Sequence, residues 1–305
     1  MNIDIGMCTF RRPQIVDTLQ SVAKLELKPD WKLRVLVADN DETPSARELV
    51  EATAKEYSLD VQYIHAPARN ISVARNACLE AATAPFMAFI DDDEVVTPGW
   101  LTAIMGKMEA TNCDAVLGPV HAIYRYDCPD WISRGDFHST LPILNERKTF
   151  TGCSTGNVLL RRTSPAVQPL RFRREFGKSG GEDTLYFAAI QKAGGRIEFA
   201  PDALITEIVP KNRATLIWLL KRRFRSGQTH GVVLLESNKD GIPGFIRNVF
   251  WASAKVVYCA VAALLNIVNP DRMRYWLLRG TLHAGVVSRL FGKREIVQYG
   301  DKETT

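Results

Sequence analysis

The chain has 305 residues, of which 46% are hydrophobic and 24% are charged. These proportions exclude an intrinsically disordered chain and are typical of a protein that buries a sizeable core. Its six cysteines are scattered, without a C-x-x-C pair or a Cys/His cluster, which argues against a disulfide scaffold and a structural zinc site. No basic run followed by an apolar run opens the sequence, so we expect no signal peptide and a cytoplasmic protein.

Charge is distributed unevenly along the chain. Residues 1–209 carry 23 Lys and Arg against 28 Asp and Glu, whereas residues 210–305 carry 16 against 6. A basic C-terminal region can bind nucleic acid, anionic lipid or a phosphorylated substrate. Charge alone does not choose among these three partners.

Strand-like and helix-like segments alternate through the first hundred residues. Short apolar runs occupy residues 3–9, 33–38, 61–65 and 86–90, and helical segments fit residues 13–24, 45–57 and 72–82. This alternation predicts βαβ units, and therefore an α/β fold with a Rossmann-type, mostly parallel sheet and flanking helices. The carboxyl ends of parallel strands meet at one edge of the sheet, which is where ligands bind in such folds.

Two more helices are predicted further along the chain. Thr97 is placed to cap a helix after the fourth strand, with Pro98 at the first helical position. A later helix is predicted to begin at residues 180–183 and to end near Gly194, because glycine suits the residue after a helix end.

Three acidic residues, Asp91, Asp92 and Asp93, follow the fourth strand-like run directly. Adjacent like charges repel one another, and a hard divalent cation such as Mg²⁺ or Mn²⁺ relieves that repulsion. The alternative is a solvated acidic turn without a ligand. Their place at the ligand-binding edge of the predicted sheet favours the metal site.

A second acidic pair, Glu182 and Asp183, opens the later predicted helix. Acidic side chains are common at helix N-termini because the helix dipole stabilises them. The functional alternative is a general base held by a rigid helix start beside Gly180 and Gly181. A metal site together with a separate base suits displacement at a phosphate-activated carbon.

Five short motifs occur in a fixed order. They are residues 5–13 (IGMCTFRRP), 37–40 (VADN), 69–76 (RNISVARN), 89–94 (FIDDDE) and 181–183 (GED). Together they resemble the inverting GT-A glycosyltransferases of family 2, and the likeness covers residues 3–230. Three further segments, residues 135–142, 177–183 and 222–231, resemble the bacterial glucosyltransferases of succinoglycan-type exopolysaccharide assembly.

The resemblance implies a nucleotide-sugar donor bound at the sheet edge. By family position, donor contacts fall on Thr9, Asp39, Arg75, Asp91, Asp92, Arg222 and Arg225, and metal ligands on Asp91 and Asp93. Asp183 would deprotonate the acceptor hydroxyl, and Glu182 would position the acceptor or the base. Attack from the face opposite the leaving group would then invert the anomeric carbon.

Two positions depart from the family pattern. Ser72 stands where the family usually has glycine, and Thr206 stands where many relatives have a histidine that can help to bind the metal or the diphosphate. The second departure implies that metal coordination depends more on Asp93 and water.

The C-terminal region contains two apolar segments. Residues 249–268 include one charge, Lys255, and a helix of that length would cross about one hydrocarbon layer. A buried helix and a membrane-contacting helix both remain open, while Lys255 weakens a spanning assignment. Residues 275–291 are amphipathic with arginines, which fits a helix on an anionic surface. We expect peripheral attachment to a membrane rather than a true span.

Two other functions are compatible with parts of the sequence. Residues Gly152-x-Ser154-x-Gly156 match a serine-hydrolase nucleophile motif, with Asp183 and His230 following in hydrolase order. That motif needs a helix directly after it, whereas residues 157–160 are strand-like. The other alternative is a basic protein without catalysis that binds a membrane or nucleic acid. Its arginines alternate with apolar residues at helical spacing, which favours packing over nucleic-acid binding.

We therefore expect a GT-A-like donor-binding and catalytic domain at residues 1–210. A basic, amphipathic helical region for membrane and acceptor docking is expected at residues 211–305. The expected reaction moves glucose from UDP-glucose to a lipid-linked oligosaccharide of exopolysaccharide synthesis, with Mg²⁺ or Mn²⁺. The expected location is the inner face of the cytoplasmic membrane, with no nucleic-acid partner.

Overall fold

Strands and helices alternate along the computed structural model, which describes residues 1–144, 149–151 and 153–296. The strands are β1 (Asn2–Thr9), β2 (Lys32–Asp39), β3 (Val61–His65), β4 (Phe86–Ile90), β5 (Glu94–Val96), β6 (Ala115–Leu117), β7 (Val120–Ile123), β8 (Ile143–Leu144), β9 (Phe150–Thr151), β10 (Asn157–Arg161), β11 (Ile197–Phe199) and β12 (Ile205–Ile208). The helices are α1 (Ile15–Ala23), α2 (Arg47–Glu56), α3 (Ile71–Ala81), α4 (Trp100–Thr111), α5 (Asp130–Gly135), α6 (Glu182–Lys192), α7 (Leu216–Glu236), α8 (Gly241–Leu265) and α9 (Pro270–Leu290).

A seven-stranded sheet has the order β11-β6-β10-β4-β1-β2-β3. The strands β4, β1, β2 and β3 are parallel, and β10 runs antiparallel between β4 and β6. Two smaller sheets, β5-β12-β7 and β8-β9, complete the strands of the described residues. The predicted α/β class with a mostly parallel sheet, flanking helices and a C-terminal helical region is confirmed.

Alternating side chains of the central strands supply two hydrophobic cores, one on each face of the sheet. In β2, Val35 and Val37 join the core that contains Leu19 of α1 and Trp100 of α4. Leu36, between them, belongs to the core on the opposite face, which includes residues of α3 and α6. This two-sided burial explains why the strands appear in the sequence as nearly continuous apolar runs.

Most predicted elements in the first hundred residues are found within one to three residues of their expected bounds, and β3 and β4 match theirs. The predicted cap at Thr97 is wrong. The helix begins at Trp100 after Gly99, and no side chain caps it. The Thr97 hydroxyl instead donates to the Leu204 carbonyl, 3.1 Å away, next to the strand pairing of β5 with β12. Local cap propensity is overridden here by a long-range hydrogen bond.

The chain divides into two compact units. The first comprises Met1–Ile123, His138–Lys178 and Glu182–Ile208, and the second comprises Tyr124–Phe137, Ser179–Gly181 and the chain from Val209 onward. The expected functional division into residues 1–210 and 211–305 stays a prediction.

Helices α7, α8 and α9 build the second unit, and α9 packs against both of the others. Close approach of α7 and α9 depends on glycine. A Cβ on Gly227 would lie 1.9 Å from the Leu282 carbonyl oxygen, and one on Gly285 would lie 2.0 Å from that of Phe224. Leu282, Val286 and Leu290 in the C-terminal half of α9 pack against α7 and α8. The expected contact of residues 275–291 with an anionic surface stays a prediction.

One helix among the described residues, α8, is long and apolar enough to cross a membrane, which by itself is weak evidence of a span. Only 17% of its most apolar window is buried. The buried-helix alternative for residues 249–268 is therefore not supported, and the outward apolar surface of the second unit lies on α8.

Candidate active site

The carboxyl ends of β1 and β2 place Thr9 and Asp39 side by side, since the two residues are register partners in the sheet. Asp39 is fully buried, and both of its oxygens accept hydrogen bonds from the protein. Its Oδ1 accepts from the Asp41 amide at 2.9 Å, and its Oδ2 accepts from the Ala46 amide at 2.9 Å and the Tyr63 hydroxyl at 2.6 Å. Asp39 thus fixes the loop between β2 and α2.

The acidic residues after β4 form a tight turn that Glu94 holds from inside. The Glu94 Oε2 atom accepts from the Asp91 amide at 2.7 Å, and the side chain is buried. Burial, followed by the charge of Asp91, raises the pKa of Glu94 well above its ordinary value. Gly156 lies against this carboxyl group, since a Cβ there would be 2.5 Å from Glu94 Oε1.

Arg12, just after β1, neutralises two of the three aspartates. Its Nη1 lies 2.9 Å from Asp92 Oδ1 and 2.6 Å from Asp93 Oδ2. Asp92 is buried, and burial raises its pKa to about 7 although the charge of Arg12 opposes the shift. The side chains of Asp91 and Asp93 are 41% and 16% exposed, so these two can meet a ligand and Asp92 supports them from behind.

Arg75 of α3 brings the two acidic clusters together. Its Nη1 donates to Glu182 Oε1 at the start of α6, and its Nη2 lies 3.6 Å from Asp91 Oδ1. Burial disfavours the charged guanidinium, but the charges of Glu182, Asp91 and Asp183 outweigh it and raise the pKa of Arg75. The acidic turn after β4 and the acidic start of α6, about 90 residues apart, are therefore parts of one site.

The polar side chains of α3 hold the segment that leads toward α6. Asn76 exchanges two hydrogen bonds with the backbone of Phe172, each 2.8 Å long. Asn70 caps α3 through the amides of Ser72 and Val73 and donates to the Arg174 carbonyl. The motif at residues 69–76 thus positions the chain before Glu182 through contacts with the backbone.

The start of α6 presents Glu182 inward and Asp183 toward the surface. Glu182 is buried against Arg75, whereas Asp183 is half-buried and its Oδ1 accepts from the Thr184 amide at 2.7 Å. A carboxylate held at a helix start, with part of its surface accessible, has the position that a general base requires.

The described residues contain no group of three or more His, Cys, Asp and Glu arranged to hold a metal ion. The oxygen donors of Asp91 and Asp93 still suit Mg²⁺ or Mn²⁺, because such ions often take one or two carboxylates and complete their coordination with water and substrate phosphate. Thr206 pairs with Val95 in the sheet next to the acidic turn, and its hydroxyl donates to the Val95 carbonyl. Position 206 therefore supplies no metal ligand. The residues present fit a metal that is held chiefly by Asp91 and Asp93.

Two predicted donor contacts, Arg222 and Arg225, lie on α7 in the second unit. The Arg222 guanidinium lies 5.3 Å from the ring centre of Trp218. The Arg225 Nη1 donates to the Ser179 carbonyl at 3.0 Å, within the same unit. Ser179 precedes Glu182 by three residues, so α7 anchors the chain just before the acidic helix start.

The serine-hydrolase alternative fails on local structure. Ser154 precedes β10, not a helix, and its Oγ accepts the Gly156 amide at 3.3 Å. Gly152 of the same motif lies outside the described residues.

Three residues that carry the site were given no role from sequence: Arg12, Glu94 and Asn76. Their partners, Asp92, Asp91 and Phe172, include two that lie 80 and 96 residues away. The sequence did point to Arg12 and Glu94, since Arg12 lies in the motif at residues 5–13 and Glu94 in the motif at residues 89–94. Their contacts could not be assigned without the fold.

Comparisons with known proteins agree with this geometry. The model of Glycosyl transferase family 2 matches residues 4–164. The succinoglycan biosynthesis protein ExoM of Rhizobium meliloti (strain 1021) is 48% identical over 305 residues, which cover 100% of this chain and 98% of that protein.

Two solved structures share the fold. The mannosyltransferase PcManGT from Pyrobaculum calidifontis, in complex with GDP-Man and Mn²⁺, is 20% identical with a TM-score of 0.61, covering 96% of this chain and 88% of that one. S. aureus TarS 1–349 in complex with UDP-GlcNAc is 14% identical with a TM-score of 0.53, covering 99% and 98%. With the acidic sheet edge and the family match in agreement, the chain belongs to glycosyl transferase family 2 and is a glycosyltransferase.

Proposed function

We propose that the protein transfers glucose from UDP-glucose, with inversion, to a lipid-linked oligosaccharide in the synthesis of a succinoglycan-like exopolysaccharide. The observation that carries the proposal is the contact of one buried guanidinium, Arg75, with both Glu182 and Asp91. It unites a donor-side carboxylate cluster with an acceptor-side acid, as glycosyl transfer requires. The full-length similarity to ExoM supports the succinoglycan assignment.

The donor would lie along the carboxyl ends of β1, β2 and β4. Thr9 and the loop that Asp39 fixes would border the nucleoside, while Asp91 and Asp93 would face the ribose and the diphosphate. Asp92 would not contact the donor but would hold Arg12 beneath Asp91 and Asp93, because it is buried against that arginine. A UDP donor is supported by the TarS structure, which contains UDP-GlcNAc.

Asp91 and Asp93 would hold Mg²⁺ or Mn²⁺. When bound, the metal would neutralise the diphosphate charge that develops as the nucleotide leaves. Arg222 and Arg225 of α7 would add positive charge for the departing nucleotide or for the phosphate of the acceptor. The PcManGT structure, which contains Mn²⁺ with a nucleotide sugar, supports metal use in this fold.

Asp183 would take the proton from the acceptor hydroxyl as its oxygen bonds to the anomeric carbon. The bond from that carbon to the diphosphate breaks on the opposite face, so the configuration inverts. Glu182 would hold the start of α6 in place through Arg75. A hydroxyl is a poor nucleophile near neutral pH, which is why a positioned base is needed.

A lipid-linked acceptor gives the basic second unit a function at the cytoplasmic face of the membrane. Residues 210–305 carry 16 Lys and Arg against 6 Asp and Glu. Anionic lipid headgroups attract such a segment, and the acceptor's phosphate carries the same sign of charge.

The test measures UDP release by purified protein with Mn²⁺, across several UDP-sugars, in the presence of a lipid-linked oligosaccharide extract. Release should depend on UDP-glucose and on the acceptor. It should vanish in Asp183→Asn while UDP binding is retained, and it should survive in the matched loop variant Ser154→Ala. Near-normal turnover by Asp183→Asn would remove that residue as the base, and release from another donor would replace glucose in the proposal.

A further inference from the structure

Helix α8 has an apolar outer stripe that nothing in the described chain covers. The stripe consists of Ile242, Ile246, Phe250, Val257, Val261 and Leu264. These side chains are between 49% and 76% exposed. Their spacing of three, four and seven residues places them on one face of a helix, along nearly its whole length.

The opposite face of α8 packs inside the second unit. Ala252, Cys259 and Ala263 are buried on that face, at helical spacing. The Cβ atom of Cys259 would lie 3.1 Å from a Cβ on Gly280 of α9, so the two helices approach closely. Ala252 shares a core with Val286 of α9. The helix therefore has one free apolar face and one that is already occupied.

Lys255 lies near the middle of α8 and on the side away from the stripe. Burial, followed by the charge of Lys255, lowers the pKa of His230 on α7 and of His283 on α9. A membrane-crossing α8 would place this ammonium group near the bilayer centre, at a cost of about 3 kcal/mol. It would also separate α8 from α9, whose arginines cannot follow it into hydrocarbon.

We propose that α8 lies in the plane of an anionic bilayer surface, with the outer stripe inserted at the boundary of headgroups and acyl chains. This orientation buries the free apolar face and leaves Lys255 and the α9 contacts undisturbed. The inference rests on the membrane association proposed above, and it specifies how α8 is oriented in the membrane. Trp251 and Tyr258, both exposed on the flank of α8 between the stripe and Lys255, are residue types that favour this interfacial zone.

Charge complementarity selects the anionic bilayer as the occupant of the stripe. The segment from α8 through α9 carries six Lys and Arg against the single acid Asp271. Arg247, Arg272 and Arg279 within it are exposed. A helix with a large apolar face and flanking cations binds anionic lipid more strongly than neutral lipid.

Binding of the full chain to vesicles is the first part of the test. Vesicles containing phosphatidylglycerol should bind it at least about tenfold more tightly than phosphatidylcholine vesicles. Val257→Asp should weaken that binding by about tenfold or more, since it places a charge in the stripe. The matched control is Ile217→Asp on α7, an equally exposed apolar position outside the stripe, which should bind normally.

Depth measurement is the second part. Cysteines replace Phe250, Val257 or Leu264 one at a time, in a Cys128→Ser background, since the other native cysteines are buried. Spin labels at all three sites should report one shallow depth. A spanning helix would instead place Val257 about 10 Å away in depth from the other two, at seven residues each.

Three outcomes would overturn the proposal. They are failure to bind anionic vesicles, a depth gradient along α8, and a lipid-free dimer that Val257→Asp dissociates, which would assign the stripe to a second copy of the chain. UDP release is measured separately on the same protein. If no sugar transfer is found, the vesicle and depth results still test the orientation of α8. If α8 does not bind vesicles, UDP release still tests the proposed reaction.

Discussion

Arg75 and Glu182 lie 107 residues apart in the chain and form a buried ion pair at the junction of α3 and α6. The same guanidinium lies over the ring of Phe172 at 5.5 Å and beside Asp91. A planar, permanently charged group with several donors can serve all three neighbours at once, which a lysine cannot do. Arg75 thus fixes the position of the α6 start relative to the acidic turn after β4.

Arg75→Gln is expected to lower the free energy of unfolding by about 3–5 kcal/mol, because Glu182 is left buried without its cation. Adding Glu182→Gln should recover part of that loss, since the double variant contains no uncompensated charge. Chemical denaturation of the two single variants and the double variant measures the coupling. Simple additivity of the two losses would show that the pair is not coupled.

The aspartates of the acidic turn are expected to differ in their effect on activity. Asp93→Asn should reduce sugar transfer by about 100-fold and weaken metal-dependent UDP binding, because its carboxylate would be a metal ligand. Asp92→Asn should stay within a few-fold of wild type, since the amide oxygen can still accept from Arg12. UDP binding, measured for each variant with Mn²⁺ and again after the metal is chelated, distinguishes Asp93→Asn from Asp92→Asn. Equal loss in both variants would contradict the supporting part given to Asp92.

Gly156→Ala is expected to destabilise the protein by about 1–3 kcal/mol and to reduce activity. The new methyl group would lie 2.5 Å from Glu94 Oε1, and Glu94 holds the Asp91 amide. Gly106→Ala on α4 is the matched control, since its Cβ would meet nothing within 4 Å. That control should stabilise by up to about 1 kcal/mol, because alanine favours helix. Thermal unfolding and UDP release report on both, and an inert Gly156→Ala would show that the turn can adjust.

The Asp4 carboxylate should make stability depend on pH. Burial raises its pKa, but hydrogen bonds from Arg34 and from the amides of Ala84 and Thr83 outweigh burial and lower the pKa below its ordinary value. The unfolded chain therefore binds this proton first as pH falls. The stabilisation is present above about pH 4 and is lost as pH falls through the lowered native pKa.

Asp4→Asn should accordingly lower the free energy of unfolding by about 1–3 kcal/mol at pH 7. The difference from wild type should narrow progressively below about pH 4. Urea denaturation at a series of pH values measures both curves. A difference that stays constant down to the acid transition would show that the contribution of Asp4 does not come from its charge.

Sequence patterns correctly predicted those strands and helices whose ends are set by residues close to them in the chain. The strands β3 and β4 were found at their expected bounds because polar or turn-forming residues end each apolar run. The start of α4 was predicted wrongly, because the Thr97 hydroxyl donates a hydrogen bond to a carbonyl more than 100 residues away in the chain. Helix α8 begins eight residues before residue 249, with Pro243 in its first turn, where a missing amide proton is tolerated.

The candidate site divides in the same way. The acidic residues after β4 and at the start of α6 could be proposed from sequence because chain position alone places them at a strand end and a helix start. Arg12 could not be assigned to Asp92 and Asp93, nor Arg75 to Glu182, without the fold. Those pairs depend on which strands are neighbours in the sheet, and the sheet order does not follow the chain order.

The reversed direction of β10 affects how the segment that leads into this strand can vary. Because β10 is antiparallel to β4, with Asn157 opposite Ile90, the chain enters the sheet at the edge where the acidic turn lies. Apart from Gly156, which lies against Glu94, the segment before Asn157 can vary while the register among β1, β2 and β4 is preserved. Sequence change can therefore accumulate in this segment, or be introduced by design, while the carboxylates of the acidic turn keep their places.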